Sequence, residues 1–338
     1  MSETIRQGMR NKLLGAGALA GAVYGLVLRL GFSTRVLERF GGAMSWAFLL
    51  GVPFAIGFIT IFVIERREKS PFWVWVVWPW VPLVSAALGT FFALIEGAIC
   101  IVMLFPIGMF CASMGGIIAG SLIRLSARPR TNDVIAGAVL LLPLMVAPWE
   151  HRVLYSNEIH ITENTIEIAA PQAVVWSNIE RVRAIRASEL PDSWSHRIGF
   201  PDPVEATLSR EGIGGVRHAT FTGGVLFIET IDVWQPQQRL AFSIQAQTDM
   251  IPTTTLDEHV RVGGPFFDVL RGEYRLEPLR EGLVRLHLSS QQRLSTDFNW
   301  YARLWSDATM SDLQGRILKV VKARCERQSG AEANSANR

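Results

Sequence analysis

The sequence predicts two unlike halves: an α-helical membrane domain of about five transmembrane helices, then an α+β domain whose curved antiparallel sheet lies around a long C-terminal helix. Three observations carry this expectation. Of 338 residues, 49% are hydrophobic and 19% charged, with a mean hydropathy of +0.24. That is too apolar for an average soluble protein and too charged for one embedded throughout. The charge is also divided: residues 1–149 hold 12 Lys/Arg and 6 Asp/Glu, whereas residues 150–338 hold 21 and 24, with all six histidines. Finally, the first half is built of long uncharged runs and the second of short alternating segments. A single soluble domain, a disordered chain and a collagen-like chain are all excluded.

The membrane domain covers 1–149, with spans at about 13–30, 42–64, 72–94, 98–123 and 134–149. The second is uncharged for 23 residues, enough to cross ~30 Å of hydrocarbon at ~1.5 Å per residue. The run 71–123 is long enough for two helices, divided at Glu96–Gly97. The first span carries Arg29 at its end, and the last is the shortest. The N-terminus resembles a signal peptide, but further spans follow without an A-x-A site, so an uncleaved first helix is the better reading.

With the N-terminus inside, nine basic residues (Arg6, Arg10, Lys12, Arg66, Arg67, Lys69, Arg124, Arg128 and Arg130) fall on the inner side, against Arg29, Arg35 and Arg39 outside. The positive-inside bias therefore predicts an inner or plasma membrane protein with a cytoplasmic N-terminus and an extracytoplasmic second half. If 134–148 does not span, the second half becomes cytoplasmic. Gly17, Gly21 and Gly25, like Ala112, Gly116 and Gly120, repeat every four residues and let helix backbones approach. Packing within the bundle is favoured over a homo-oligomer interface. Trp73, Trp75, Trp78 and Trp80 read as an interfacial belt. Glu96 reads as a hairpin turn: its run holds no Arg or Lys to pair with it and no second acid for a proton relay, so transport is not supported.

After a linker at 150–160, alternation begins. Thr165–Ala169 reads as a strand stopped by Pro171, and Gln172–Ile185 as helix. Strands follow at Val204–Arg210, Val216–Phe221, Leu226–Trp234, Arg239–Gln245, Leu270–Leu276 and Leu283–Leu294, divided by glycine-rich or Pro-containing turns. Gly212, Gly214 and Gly215 lead into a strand, so they mark a hairpin rather than a phosphate loop. Asn299–Arg327 is a long helix with Tyr301, Trp305, Ala308, Leu313, Ile317 and Val320 on one apolar face, which should lie against the sheet. Residues 328–338 are a polar, disordered tail. An antiparallel sheet gripping a helix leaves room between them for an apolar ligand.

Four stretches in order, IEIAAPQAVVWSNI (166–179), REGIGGVRHATF (210–221), ETIDVWQPQQRLAFSI (229–244) and GEYRLEPLREGLVRLHLSS (272–290), followed by the long helix, resemble the START-like or SRPBCC superfamily in its polyketide cyclase/dehydrase-like branch. The resemblance covers about 161–327, and residues 1–149 are foreign to the family's usual form. It implies a helix-grip fold around a hydrophobic pocket for lipids, sterols, polyketides or other apolar ligands, without implying one reaction.

The expected pocket lining is Trp194, His218, Phe242, Tyr274, Leu288, Tyr301 and Trp305. His218 shares a strand face with Val216 and Thr220. Glu229, with Phe227 and Ile231, is either an inward polar anchor or the partner of a nearby arginine. His287 and Arg285 should face solvent. No triad, H-E-x-x-H or Walker loop is present, so no catalytic residue and no cofactor is assigned. Cys100, Cys111 and Cys325 lack metal or disulfide spacing, and His151 and His160 lack companion ligands, so no metal is expected. The second half's negative balance disfavours nucleic acid. The favoured function is a membrane-tethered carrier or sensor for a lipid or other apolar small molecule. The alternatives are a cyclase/dehydrase-like enzyme on an apolar substrate and a membrane interaction protein without a ligand.

Overall fold

A computed structural model describes residues 3–34, 36, 42–126, 129–150, 157–247 and 261–336. The chain divides into two compact units, Met1–Tyr155 and Ser156–Arg338.

The first unit is helical: α1 (Glu3–Phe32), a π-helical turn (Ala47–Gly51) leading into α2 (Val52–Glu65), α3 (Phe72–Val77), α4 (Trp80–Phe92), α5 (Ala98–Leu125) and α6 (Pro129–Glu150). Five stretches are long and apolar enough to cross a membrane: Gln7–Phe32, Ala47–Glu65, Phe72–Phe92, Ala98–Leu125 and Arg130–Glu150. Among the five, α2 is the most enclosed, and glycine explains how closely its neighbours approach. A Cβ on Gly57 would sit 1.8 Å from the Ala112 carbonyl oxygen, and one on Gly115 would sit 1.9 Å from that of Phe54. Gly17 and Gly21 of α1 meet Thr60, while Gly116 and Gly120 meet Trp75. Both small-residue stripes therefore pack inside this chain.

Three of the four clustered tryptophans are tied to neighbouring helices. Trp75 is buried and its Nε1 donates to Glu65 Oε1 (3.0 Å). Trp78 Nε1 donates to the Leu14 carbonyl (3.1 Å) and Trp80 Nε1 to Ser113 Oγ (2.9 Å). Trp73 remains 57% exposed. Glu96 does lie in the turn between α4 and α5, but it is paired: the Arg29 guanidinium of α1 donates to it. The cation comes from another helix, outside residues 71–123. Glu65 is the second enclosed acid; it accepts from Arg124 Nε (3.1 Å) and from the Ser70 backbone (2.6 Å).

The second unit contains β1 (Glu158–Ile168), α7 (Gln172–Glu180), α8 (Trp194–Arg197), β2 (Pro203–Leu208), β3 (Val216–Phe221), β4 (Leu226–Gln235), β5 (Arg239–Gln247), β6 (Phe267–Arg280), β7 (Leu283–Leu294) and α9 (Asn299–Ala336). The strands form one antiparallel seven-stranded sheet in the order β1-β7-β6-β5-β4-β3-β2. Register shifts at Ile231/Val233, Val269/Arg271 and Pro278/Arg280 mark bulges, which bend and twist a sheet. The curled sheet and the helix across it make the helix-grip fold.

The core joins Ile168, Val175, Ile179, Ile231, Leu240, Phe242, Leu276, Leu286, Leu318 and Val321. It lies beneath the second half of α9. Several sequence boundaries change, and the helix expected over Gln172–Ile185 ends at Glu180, after which Val182 bridges to Ala206. Strand β1 begins at Glu158, inside the expected linker, because its early residues pair with β7 from Glu158↔Leu294 onward. Helix α9 runs on to Ala336 through the expected disordered tail; Ala331 and Ala333 are strong helix formers there. The segment 248–260, to which the sequence assigns no strand, lies outside the described residues, as does His151.

The contact of α9 with the sheet differs from the expected one. In the first half of the helix the sheet-facing side interleaves the buried Ala302 and Met310 with polar side chains. Gln314 Nε2 donates to the Thr162 carbonyl (3.0 Å) and Ser290 Oγ (2.9 Å), and its Oε1 accepts from Asn164 Nδ2 (2.8 Å). Thr162 Oγ1 donates to Asp307 (2.7 Å), and Ser306 donates to Gln292. Tyr301 and Trp305 are only half-buried and Ala308 is exposed. Apolar periodicity located a real stripe, but satisfied polar side chains share the place against the sheet.

Candidate functional site

Residues alternate across a strand, so the inward set of β3 is fixed once one member is known. Arg217 and Ala219 are the buried members and His218 is exposed. His218 therefore does not join the other expected lining residues. The strand VRHATF carries apolar residues at both parities, so alternation could not choose the face.

Arg217 is the residue the sequence reading overlooked. It is 2% exposed and stands directly opposite Glu229 in the β3–β4 register. Its Nη1 donates to Glu229 Oε2 (2.7 Å) and its Nη2 to the Ile179 carbonyl (3.2 Å) in the last turn of α7, where the helix dipole favours a cation. Its guanidinium carbon lies 4.9 Å from the centroid of the Phe242 ring and 6.0 Å from that of Tyr274. Phe242 itself lies over Gly272, where an added Cβ would come within 2.5 Å of the ring. Arg217 Nε is buried and has no hydrogen-bond partner among the described residues. The hairpin turn between Phe221 and Leu226 was the sequence signal that could have found this pair, because it sets Arg217 opposite Glu229.

Burial pushes the Glu229 carboxyl above its ordinary range, and Arg217 pulls it back. Burial likewise pushes the Tyr274 phenol up to about 12, so it is a neutral donor at physiological pH. The phenol is not set to exchange a proton near neutrality. Chemically the cluster is an ion pair whose Nε–H has no partner among the described residues, beside Phe242 and Tyr274.

Of the expected lining, Phe242, Tyr274 and Leu288 lie together in the core beneath the helix. Trp194 and Trp305 form a second group, with ring centroids 6.4 Å apart and Trp194 39% exposed. Their loop is fastened to α9 at three points. Asp312 accepts from Ser193 and Ser195 (Oγ at 2.5 and 2.6 Å); burial opposes its charge, but these hydrogen bonds hold its carboxyl below the usual range. Arg316 donates to the Pro191 carbonyl (2.8 Å) and to Asp202. Arg324 grips Glu189 through two bonds (3.0 and 2.8 Å) and, with help from the Arg186 backbone and Arg327, brings that carboxyl down to about 2.

His287 lies on the opposite sheet face, where Nδ1 meets Glu163 (2.6 Å) and Nε2 meets Glu277 (3.0 Å). Its side chain is only 12% exposed, so the solvent-facing side is right but the ring is covered by carboxylates. No group of three or more metal-ligating side chains occurs among the described residues.

Neither a family model nor a curated protein matches the chain. Among solved structures, a protein of the dynemicin biosynthetic locus is 18% identical over 47% of this chain, which spans 46% of that protein's length, with a TM-score of 0.27. A START superfamily protein from Mycobacterium smegmatis is 11% identical over 50% of this chain and 99% of its own, at a TM-score of 0.33. The Zhui aromatase/cyclase from Streptomyces sp. R1128 is 16% identical over 51% of this chain and 96% of its own, at 0.32.

Proposed function

We propose that the second unit binds a lipid or another apolar small molecule, as carrier or sensor, and that the five apolar helices hold it at a membrane. The observation that carries this reading is the Arg217 Nε–H, buried beside two aromatic rings with no partner among the described residues. An unpaired buried donor costs ~1–3 kcal/mol, and a ligand oxygen would recover that cost. Because Glu229 already neutralises Arg217, a second anion would be desolvated without a counter-charge. The favoured ligand is therefore mostly apolar and carries a neutral acceptor, such as an ester, ketone or hydroxyl oxygen.

Binding is favoured over cyclase-like chemistry because Glu229 is committed to Arg217 and Tyr274 is held neutral. A tether places such a module beside the phase into which apolar ligands partition. The positive-inside pattern supports an extracytoplasmic second unit.

Organic extraction and mass spectrometry of the purified full-length chain test the reading. Bilayer lipids will accompany the helical unit in any preparation, so the comparison is with Arg217→Met/Glu229→Leu, which removes the donor and keeps the interior neutral. A species abundant in wild type and depleted at least tenfold in the double variant is expected. Identical extracts would overturn the assignment.

A further inference from the structure

His160, on β1, sits where a second proton is hard to accommodate. Its side chain is 3% exposed. Strand β7 sets the neutral Gln292 opposite it, and the charged groups that act on it are Glu158 of its own strand and Asp307 and Arg303 of α9. Nε2 lies 3.2 Å from Asp307 Oδ1, whereas Nδ1 has no hydrogen-bond partner among the described residues. A neutral imidazole carries one N–H and an imidazolium two. Asp307 is already shared, its Oδ1 accepting from Thr162 Oγ1 (2.7 Å) and its Oδ2 from Arg303 Nε (3.4 Å). Protonation in place would therefore bury an N–H that meets no acceptor and add a cation near Arg303. Burial is the foremost reason that this imidazole lies below its ordinary range.

The helix above His160 is held unevenly. The apolar core takes Leu318, Val321 and Cys325 from the second half of α9, with Ile317 packed against them. The first half buries Ala302 and Met310 and is seated by polar contacts. Ser306 donates to Gln292, Asp307 and Ser311 accept from Thr162 and Asn164, and Arg303 pairs with Glu158 (3.3 Å). Each such bond nets only ~0.5–1.5 kcal/mol, because water replaces it on release. The first half is thus the part of the helix that opens most readily. Once it lifts, the imidazole meets water and takes a proton at its ordinary pKa of ~6.5.

We propose that protonation of His160 releases the first half of α9 from β1 and β7 while the second half stays in the core. The device belongs to the fold of this unit and holds whatever the unit binds. Seated, the helix covers His160, Thr162 and Gln292 on the inward face of the sheet; released, it opens them to solvent. The sign follows from the two proton affinities. Above pH ~6.5 both states hold a neutral imidazole, and seating is unaffected. Below it the released state takes the proton more readily, so each further pH unit raises the ratio of released to seated helix up to about tenfold, until the seated imidazole titrates as well.

Double electron–electron resonance on the detergent-solubilised full chain tests the device, in a Cys100→Ala/Cys111→Ala background. Thr165, Ala308 and Lys319 are exposed, while Cys325 is fully buried and stays unlabelled. Labels at Thr165→Cys and Ala308→Cys report the first half of α9, and labels at Thr165→Cys and Lys319→Cys the second. Between about pH 7.5 and 5, the first pair should gain a longer-distance population that grows several-fold, while the second pair keeps its distance. His160→Gln and His160→Met, neither of which titrates in this range, should both hold the first pair at its neutral-pH distance. An unchanged first pair in the otherwise wild-type chain at the acidic end would overturn the proposal. So would a change that persists in both His160 variants. Broadening of the two pairs together would mean that the whole unit unfolds, and would overturn it as well.

Discussion

Arg217 and Glu229 face each other across the β3–β4 pair, 2.7 Å apart, both almost wholly removed from solvent. Neighbouring register makes the pair geometrically cheap, but desolvation makes each member dependent on the other. Glu229→Gln should leave Arg217 charged and alone in the core, and Arg217→Met should leave Glu229 so. Each single variant should lose ~3–5 kcal/mol, whereas Arg217→Met/Glu229→Leu should lie near wild type. Denaturant unfolding of detergent-solubilised protein, followed by tryptophan fluorescence, measures the difference; equal losses in single and double variants would count against the coupling.

His160 offers a pH-dependent counterpart at the β1 edge of the same sheet. It is buried beneath α9, with Nε2 3.2 Å from Asp307 Oδ1. Burial pushes its imidazole below the ordinary 6.5, while Asp307 and Glu158 pull it up and Arg303 pushes it further down. Below pH 6.5 the unfolded chain takes a proton that the folded chain resists, so stability should fall as pH drops from there toward the folded value. His160→Gln should remove that slope. Thermal midpoints of wild type and variant between pH 7.5 and 5, roughly the imidazole range, are the measurement, and parallel curves would contradict the assignment.

The sheet and both units were legible because their signals are local. Val216–Phe221 and Leu283–Leu294 emerge with the expected bounds, since alternation between turn residues fixes a strand without knowledge of its partner. The inward placement of Phe242, Tyr274 and Leu288 likewise followed from their strand faces. What failed depended on neighbours distant in sequence. Arg29 pairs with Glu96 from another helix, and Gln314 is buried only because Thr162 and Ser290 satisfy it. Arg217 was passed over because an arginine is rarely fully buried unless paired, and its pair lies on the next strand.

In the helical unit, the decisive contacts are those where no side chain fits. Gly57→Ala would drive a methyl into the Ala112 carbonyl, whereas Gly137 has open space around its Cβ position. Gly57→Ala should therefore separate α2 from α5 and lower the melting temperature in detergent by several degrees at least, while Gly137→Ala should be neutral or slightly stabilising through helix propensity. Differential scanning fluorimetry decides, and a tolerated Gly57→Ala would mean that the two helices are farther apart than described.

The two halves of α9 should respond differently to truncation. Leu318 is 1% exposed and packed in the core with Val321 and Ile179, so Leu318→Ala removes buried contacts and should cost ~2–5 kcal/mol. Trp305, the larger side chain, is half-buried and meets mainly the Trp194 ring, at 6.4 Å. Trp305→Ala should lose about 1 kcal/mol, the scale of one aromatic pair. Simple residue size predicts the opposite order. Denaturant midpoints of the two variants separate these outcomes, because only a helix seated in the core through its second half makes the leucine the costlier loss.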